Sequence, residues 1–537
     1  MSTRHTGAIL GGILALTLGG GVAYAKPHTL GLNFTGTELL QGSNLIPPDT
    51  MGAVGPNHIV ELINGRYRAY DKLTGAQVAN RSLNGFWASA GAGPTGDSFD
   101  PRVVYDPFSE RFFATSVDNV RDDNHFLIAV SNTSDPLDGW AGFAIDSDSD
   151  DTRWADFPML GYNADIVYVA AKMFAQPSQG VLSETTVLAI PKADLLNAVP
   201  TVANATLFED VQGTTNTFPH PAVDLDNGTD PAALWSGHLS FGTDFVIRSN
   251  ITGPPNTPTL AVEAAVIFSQ DFTIAPDGEQ PGPKKDLDNI DDRFSSALVL
   301  QEGSYWGVQA GNSGGRSAVR WFEINASDNQ LLQEGLISDS DLDLLYPSIA
   351  VNEFGDMVVG FTGTSENQFP SAYAVVGETD QAGNTAFDNL ILLQAGVDDY
   401  ERLDSQNRNR WGDYSATVLD PSDPFRFWTF QEFVSAEDIW AIQITELLLT
   451  PSIDGDTNLD GTVSFGDFAI LQNHFGDPGN WLDGDFDRNG VITFADFSIL
   501  QNNFGASAAP TVVPEPASIT LITLVGVAML TRHRRFA

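Results

Sequence analysis

The residues best placed to do chemistry lie between Asp454 and Gly505. Asp456-Thr457-Asn458-Leu459-Asp460-Gly461 runs on through Thr462 and Ser464 to Asp467. Twenty-nine residues later, Asp485-Phe486-Asp487-Arg488-Asn489-Gly490 runs on through Val491 and Thr493 to Asp496. Side-chain oxygens at loop positions 1, 3 and 5, a carbonyl at 7, an oxygen at 9 and an acid at 12 converge on one hard cation. The glycine at position 6 permits the sharp turn. The chemistry this spacing predicts is calcium binding, with two ions expected. One loop would ligate through Asp456, Asn458, Asp460, Thr462, Ser464 and Asp467, the other through Asp485, Asp487, Asn489, Val491, Thr493 and Asp496. Position 12 is Asp in both, a shorter reach than the usual Glu.

A second set of acids is spread along the chain. Asp49, Asp100, Asp156 and Asp413 each stand in a short phrase that opens a group of apolar runs, and His220 and Arg293 occupy the matching places. Gathered at one spot, such carboxylates would bind a cation or a sugar, and two of them could divide general acid and base roles. An Asp before Pro or Thr equally caps the tight turn entering a strand, and capping is the favoured reading. The catalytic residues are therefore left unassigned, with these four as candidates. There is no H-E-x-x-H or Walker loop, and no Asp-box repeat of the sialidase kind.

The elements that must position these residues are strands in the long first part and helices in the short second one. Between Lys26 and Leu448, runs rich in Val, Ile, Phe, Tyr and Thr alternate with Asp, Gly, Pro and Asn turns, and Lys192 to Val199 is the main helical stretch. The opening phrase recurs seven times, from Asp49-Thr50 and Asp100-Pro101 through Asp156-Phe157-Pro158, His220-Pro221, Arg293 and Tyr346-Pro347 to Asp413. Repeats that cannot bury a face alone must stack, so the expected fold is mainly β, a seven-bladed β-propeller, with six or eight blades and a β-sandwich array as alternatives. Leu30 to Thr35 would supply the outer strand that closes the ring. After each calcium loop the same phrase returns, Phe465 to Asn473 and Phe494 to Asn502, and Phe468, Leu471, Phe475 and Phe497, Leu500, Phe504 read as the core shared by two helices. The five tryptophans Trp306, Trp321, Trp411, Trp428 and Trp440 lie inside strand runs and read as core.

Composition narrows the function. The formal charge of −43 cannot neutralise phosphates along a groove, which argues against nucleic acid as a partner. The absence of Cys removes disulfides, thiolate nucleophiles and zinc ribbons. Residues 1–25 carry Arg4, an apolar stretch from Ala8 to Val22 and the A-x-A site Ala23-Tyr24-Ala25, a secretory leader with cleavage before Lys26. Residues 508–537 hold a linker, Pro514-Glu515-Pro516, a short apolar run from Ile519 to Leu530 and the basic cluster Arg532-His533-Arg534-Arg535.

Three resemblances follow from these residues. The C-terminal triplet, short apolar helix and basic tail resemble the PEP-CTERM sorting signal of Gram-negative bacteria, which implies an exosortase-type enzyme and transient inner-membrane anchoring. The duplicated loop–helix at 451–507 resembles a type I dockerin, which implies two calcium ions and a cohesin-like partner. It departs from that pattern at loop positions 10 and 11, Phe465-Gly466 and Phe494-Ala495, and lacks a following Lys-Arg pair. The ions would then chiefly staple a small domain. Pro47 to His58 and Arg410 to Ser415 resemble a family of exported bacterial proteins with an expected propeller fold. The domains expected are a leader at 1–25, a propeller at 26–450, a calcium module at 451–507 and the sorting region at 508–537. The expected protein is exported, displayed at the cell surface or released, and non-enzymatic, binding extracellular polysaccharide or matrix. The alternative is a secreted glycoside hydrolase.

Overall fold

The computed structural model describes residues 26–507, except 122, 176–182, 212–216, 229–230, 239–244, 269–272, 290–292, 381 and 452. The leader and the sorting region lie outside the described residues. Two compact units are present, Leu30–Leu447 with Lys26, and the residues from Leu448 onward with Pro27–Thr29.

In the first unit, the apolar runs form antiparallel strands turned by Gly, Asp and Asn. One sheet holds Gly52–Val54, His58–Ile63, Arg66–Asp71 and Gln77–Ser82, and the next holds Ser98–Asp106, Arg111–Asp118, His125–Ser131 and Trp140–Asp146. A third holds Thr217–Pro221, Ala232–His238, Phe245–Thr252 and Thr259–Ile267. A fourth holds Asp343–Val351, Asp356–Ser365 and Gln368–Thr379, with Thr385–Phe387 and Ile391–Gln394 both on the last of these. The fifth runs Ala416–Asp420, Asp423–Ala436, Ile439–Leu449 and then His28–Glu38, so the first strand of the chain is the outer strand of the last sheet. The ring is closed by backbone hydrogen bonds.

A further sheet has nine strands. Arg153–Tyr162, Ile166–Ala175, Ser183–Pro191 and Thr206–Phe208 lie to one side of Val223–Asp224, and Val299–Gln301, Ser304–Ser313, Arg316–Asn325 and Leu331–Ile337 to the other. The expectation of seven blades is thereby corrected to a propeller with five separate blades. The reason lies at Pro219 and Pro221, which carry no N–H and cannot continue a ladder on both edges. Beyond them the chain leaves its own sheet. Val223 donates to Leu298 O at 2.8 Å, Leu225 donates to Leu300 O at 2.9 Å, and Tyr162 donates to Ala222 O at 3.2 Å. This short parallel strand fuses two four-stranded groups into one sheet.

Opening strands from four of the five separate blades and from the nine-stranded sheet surround a cavity of about 130 Å³ lined by side chains such as Ala53, Val103, Leu160, Val299, Ile349 and Ala416. Apolar residues fill the spaces between sheets, and Trp306, Trp321, Trp411, Trp428 and Trp440 are all buried there. Helix α1 (Leu83–Ala90) is capped by Ser82 and ended by Gly91 at φ 102°, and it packs Phe86 and Trp87 into this core. Helix α2 (Lys192–Leu195) brings Lys192 to Asp106, a buried ion pair at 2.8 Å.

The second unit carries α3 (Phe465–His474) and α4 (Phe494–Asn503), one after each loop. Val463, Leu471, Trp481, Ile492 and Leu500 are its core. No helix among the described residues is long and apolar enough to cross a membrane.

Candidate functional site

The four spread aspartates meet at one end of the channel. A repeated backbone device brings them there. The opening strands slip register between Phe99 and Arg102, between Asp156 and Met159, and between Leu345 and Ser348. Each slip brackets an X-Pro dipeptide whose first residue has positive φ, namely Asp100 at 50°, Phe157 at 55° and Tyr346 at 50°. Asp49 does the same before Thr50, at 53°. The proline interrupts the ladder, the bulge forms, and the preceding residue is turned out of the sheet plane. Such φ values cost about 1–3 kcal/mol each and cluster where function needs them. The equivalent of Asp100 in the next group is therefore Phe157, and Asp156 reaches the site from one residue earlier.

Asp49 is buried and hydrogen-bonded to Asp100 through their carboxyls. Two carboxyls can bond in this way only with a proton between them. Asn64 donates to Asp49 and accepts from Asp100 N at 2.9 Å, while Asp413 N donates to Asp49 Oδ1 at 3.1 Å. Asp100 Oδ2 accepts from Tyr414 Oη at 3.0 Å and from Phe157 N at 3.2 Å. Burial, then the Asp100 and Asp413 charges, hold Asp49 well above the usual carboxylate range. Burial and the same two neighbours push the half-buried Asp156 up to about 8, so it carries its proton at neutral pH. Asp413 is gripped by Arg410 Nη2, with both oxygens at 2.7 Å. Burial nevertheless raises its pKa against the pull of that guanidinium.

Three guanidinium groups face this acid. Arg102 is buried over the Tyr414 ring, 3.3 Å from its centroid, and donates to Pro158 O at 3.1 Å. Arg293 lies 4.0 Å from the Phe218 centroid and 4.8 Å from that of Phe157. Burial opposes the charge on Arg410, but Asp413 restores it and keeps the group protonated. Burial lowers Lys172 to about 8, helped by Arg293. Burial also drives His220 down to about 3, against the contacts its two ring nitrogens make with Phe218 O and Phe294 O, each at 2.7 Å. His220 is thus a structural group. The arrangement combines a protonated carboxyl, an arginine-bound carboxyl and fixed donors, the inventory for gripping hydroxyl-rich or acidic ligands and for moving a proton. Sequence reasoning named the acids and missed Asn64, Arg102, Arg410, Tyr414 and Glu432, which accepts from Gly412 N at 3.0 Å. Arg410, Asp413 and Tyr414 share the phrase Arg410 to Ser415, which was the available signal.

The calcium loops are built alike. Asp456 Oδ2 accepts from Gly461 N at 2.9 Å and Asp485 Oδ2 from Gly490 N at 2.7 Å. Gly461 and Gly490 stand at φ 82° and 87°, where a side chain would be strained. Asp467 and Asp496, both fully buried, accept from loop backbone N–H groups and close a capping box with Ser464 and Thr493. Position 12 therefore also starts the helix, and position 9 is its N-cap. Carboxylate oxygens of Asp485, Asp487 and Asp496 lie within 4.8 Å of one another, which suits one divalent cation. Burial, then the Asp496 and Asp487 charges, raises Asp485 to about 6, a pressure that a bound cation would reverse.

Helices α3 and α4 do not bury all their aromatics. Phe465 meets Phe504 and Phe475 meets Phe494, each pair at 5.0 Å and 72°, with Phe468 and Phe497 5.9 Å apart between them. Leu471 and Leu500 are core, as expected, but Phe475 and Phe504 are 42% and 45% exposed, which corrects their reading as core. Phe465 and Phe494, at 77% and 74%, are the most open of all.

Residues 454–505 match the family model of the dockerin type I domain, and the chain joins that module to a β-propeller. No curated protein matches. Among solved structures, the chain resembles a Trypanosoma rangeli sialidase in complex with 2,3-difluorosialic acid at 11% identity and TM-score 0.33, over 77% of this chain and 60% of that one. It resembles the Dos1 propeller at 9% identity and TM-score 0.35, over 78% and 95%. It resembles an exo-β-1,3-galactanase from Clostridium thermocellum at 10% identity and TM-score 0.30, over 55% and 64%.

Proposed function

We propose that this is an exported protein that holds an extracellular polysaccharide at the channel mouth and is attached to a cohesin-type partner through its calcium-loaded module. The dockerin match carries the reading, because such a module serves assembly outside the cell. Calcium would be held by Asp456, Asn458, Asp460 and Asp467 and by Asp485, Asp487, Asn489 and Asp496, with the carbonyls of Thr462 and Val491. It would fix the loops so that α3 and α4 present their phenylalanine stripe to the partner. At the other site, Asp156 and Asp413 accept from or donate to sugar hydroxyls, and Arg410 holds Asp413 in place. After export, an exosortase-type enzyme would act on the sorting region.

One observation favours a second reading, glycoside hydrolysis. Two half-buried carboxyls stand together at the mouth, Asp156 keeping its proton to about 8 and Asp413 bound by Arg410 although burial raises it as well. Glycosidic cleavage uses such a pair of carboxyls, one giving a proton to the leaving oxygen and the other acting as base or nucleophile. The test is a polysaccharide panel scored for both binding and turnover, with Asp156→Asn and Asp413→Asn alongside. Binding without turnover supports the first reading. Turnover lost in either variant establishes the second, and neither binding nor turnover defeats both.

A further inference from the structure

Inward of the acid cluster, the channel changes character. Stretches of its wall start two or three residues after a mouth residue, Met51 after Asp49, Arg102 after Asp100, Met159 after Asp156 and Ser415 after Asp413. Ser296 follows Arg293 in the same way. Beyond this level the wall is largely apolar, through Ala53, Val103 and Val299 toward the turns at Pro107 and Pro421. Arg102 and Ser296 therefore stand where a polar mouth gives way to an apolar channel.

Two buried polar atoms of this wall are left over. Arg102 is 2% exposed, its Nε donates to Pro158 O at 3.1 Å and its Nη2 meets Met159 Sδ. Its Nη1 has no hydrogen-bond partner among the described residues. Ser296 is 7% exposed, and its Oγ has none among them either. The other buried polar side chains of the wall are satisfied. Ser415 Oγ donates to Tyr346 O at 2.6 Å, and Thr417 Oγ1 meets Ser348 Oγ at 2.8 Å. Asp420 accepts from Lys72 Nζ at 2.9 Å and from Trp428 Nε1 at 3.0 Å. A buried polar atom without a partner is costly, and native interiors keep few that neither ligand nor water serves.

We propose that the channel binds one small neutral molecule, an apolar body of about six carbons ending in a single oxygen that bonds Arg102 Nη1 and Ser296 Oγ. The size follows from the cavity of about 130 Å³, since an apolar cavity of about 150 Å³ takes one benzene molecule. A terminal hydroxyl suits both atoms, because its lone pairs accept from the guanidinium while its O–H donates to the serine oxygen. Neutrality follows from the charges already present. Tyr414, Asp100 and Asp49 all favour the charge on Arg102. A carboxylate ligand would add a further negative charge beside those acids, in a place where burial penalises it. The site goes beyond the saccharide reading of the mouth and stands without it.

The experiment titrates 1-hexanol into the full-length chain and follows carbon-13-labelled methionine methyl groups by nuclear magnetic resonance. Met51 and Met159 line the cavity, whereas Met173 and Met357 are buried in other parts of the core. The first two signals should shift with one Kd of about 1 mM or tighter, and the other two should stay in place. Ser296→Ala should weaken hexanol about tenfold and leave the Tm unchanged or higher, since the hydroxyl it deletes has no hydrogen bond to lose. Ala416→Leu fills the channel and should abolish the shifts. Hexanoate should bind at least about tenfold more weakly than hexanol. Met51 and Met159 signals that do not move, or that move no more than those of Met173 and Met357, overturn the site in the wild-type chain whatever the variants do. Equal affinity in Ser296→Ala overturns the part given to the two polar atoms, and hexanoate binding as tightly as hexanol overturns the neutral ligand.

Discussion

Replacing Asp156 by Asn removes a carboxyl that the channel mouth keeps protonated up to about pH 8. In the unfolded chain an Asp ionises near 3.9. Between these values the folded state binds more protons than the unfolded one, so stability falls as pH rises from about 4 to about 8. At 1.36 kcal/mol per unit, the four-unit gap sets an upper bound of about 5–6 kcal/mol. Asp156 is half-buried, and water screens part of this, leaving about 2 kcal/mol. Unfolding entropy of about 2.1 cal/mol/K per residue, over the roughly 420 residues of the first unit, gives about 0.9 kcal/mol/K and hence a Tm change of about 2 °C. Asp156→Asn cannot ionise, so its Tm relative to wild type should climb by about 2 °C between pH 5 and pH 9 and then level off. Differential scanning calorimetry across that range measures it. A difference that stays flat, or narrows as pH rises, would show that Asp156 is an ordinary solvated carboxylate and would remove the proton donor from the proposed site.

Other sites give shorter tests. Lys192→Met leaves Asp106 buried without its cation and should cost about 3–5 kcal/mol in urea unfolding, most of it recovered when Asp106→Asn is added. Asp487→Ala should reduce calcium stoichiometry in calorimetry from about two ions to about one, since its oxygen completes the group with Asp485 and Asp496. Phe465→Ser with Phe494→Ser should leave calcium binding and helical circular dichroism unchanged, both rings being exposed. The same pair should weaken binding to a type I cohesin domain by at least about tenfold.

The paired loop–helix module was legible because its glycine turns and helix caps are set by local spacing alone. The ring was legible as repeated opening phrases, and its closing strand as a run with no partner of its own. The number of blades was not, because it turned on whether Val223–Asp224 pair with the sheet before them or with its neighbours. Exposure of Phe475 and Phe504 escaped for a similar reason. Periodicity marks an apolar face, but only the opposite helix decides how much of it is covered, and here Leu471 and Leu500 are buried while Phe475 and Phe504 stay open.

At the channel mouth the division is plain. The sequence by itself determined which acids open each phrase and that a proline follows Asp100 directly and Asp156 after one residue. Only the tertiary structure decided that Asp49, Asp100, Asp156 and Asp413, separated by up to 364 positions, share one proton-rich cluster with Arg102, Arg293 and Arg410. Their meeting depends on closing the ring, and ring closure joins the two ends of the domain. A carboxylate's pKa is set by what surrounds it in space, and at this site the surroundings come from every part of the chain.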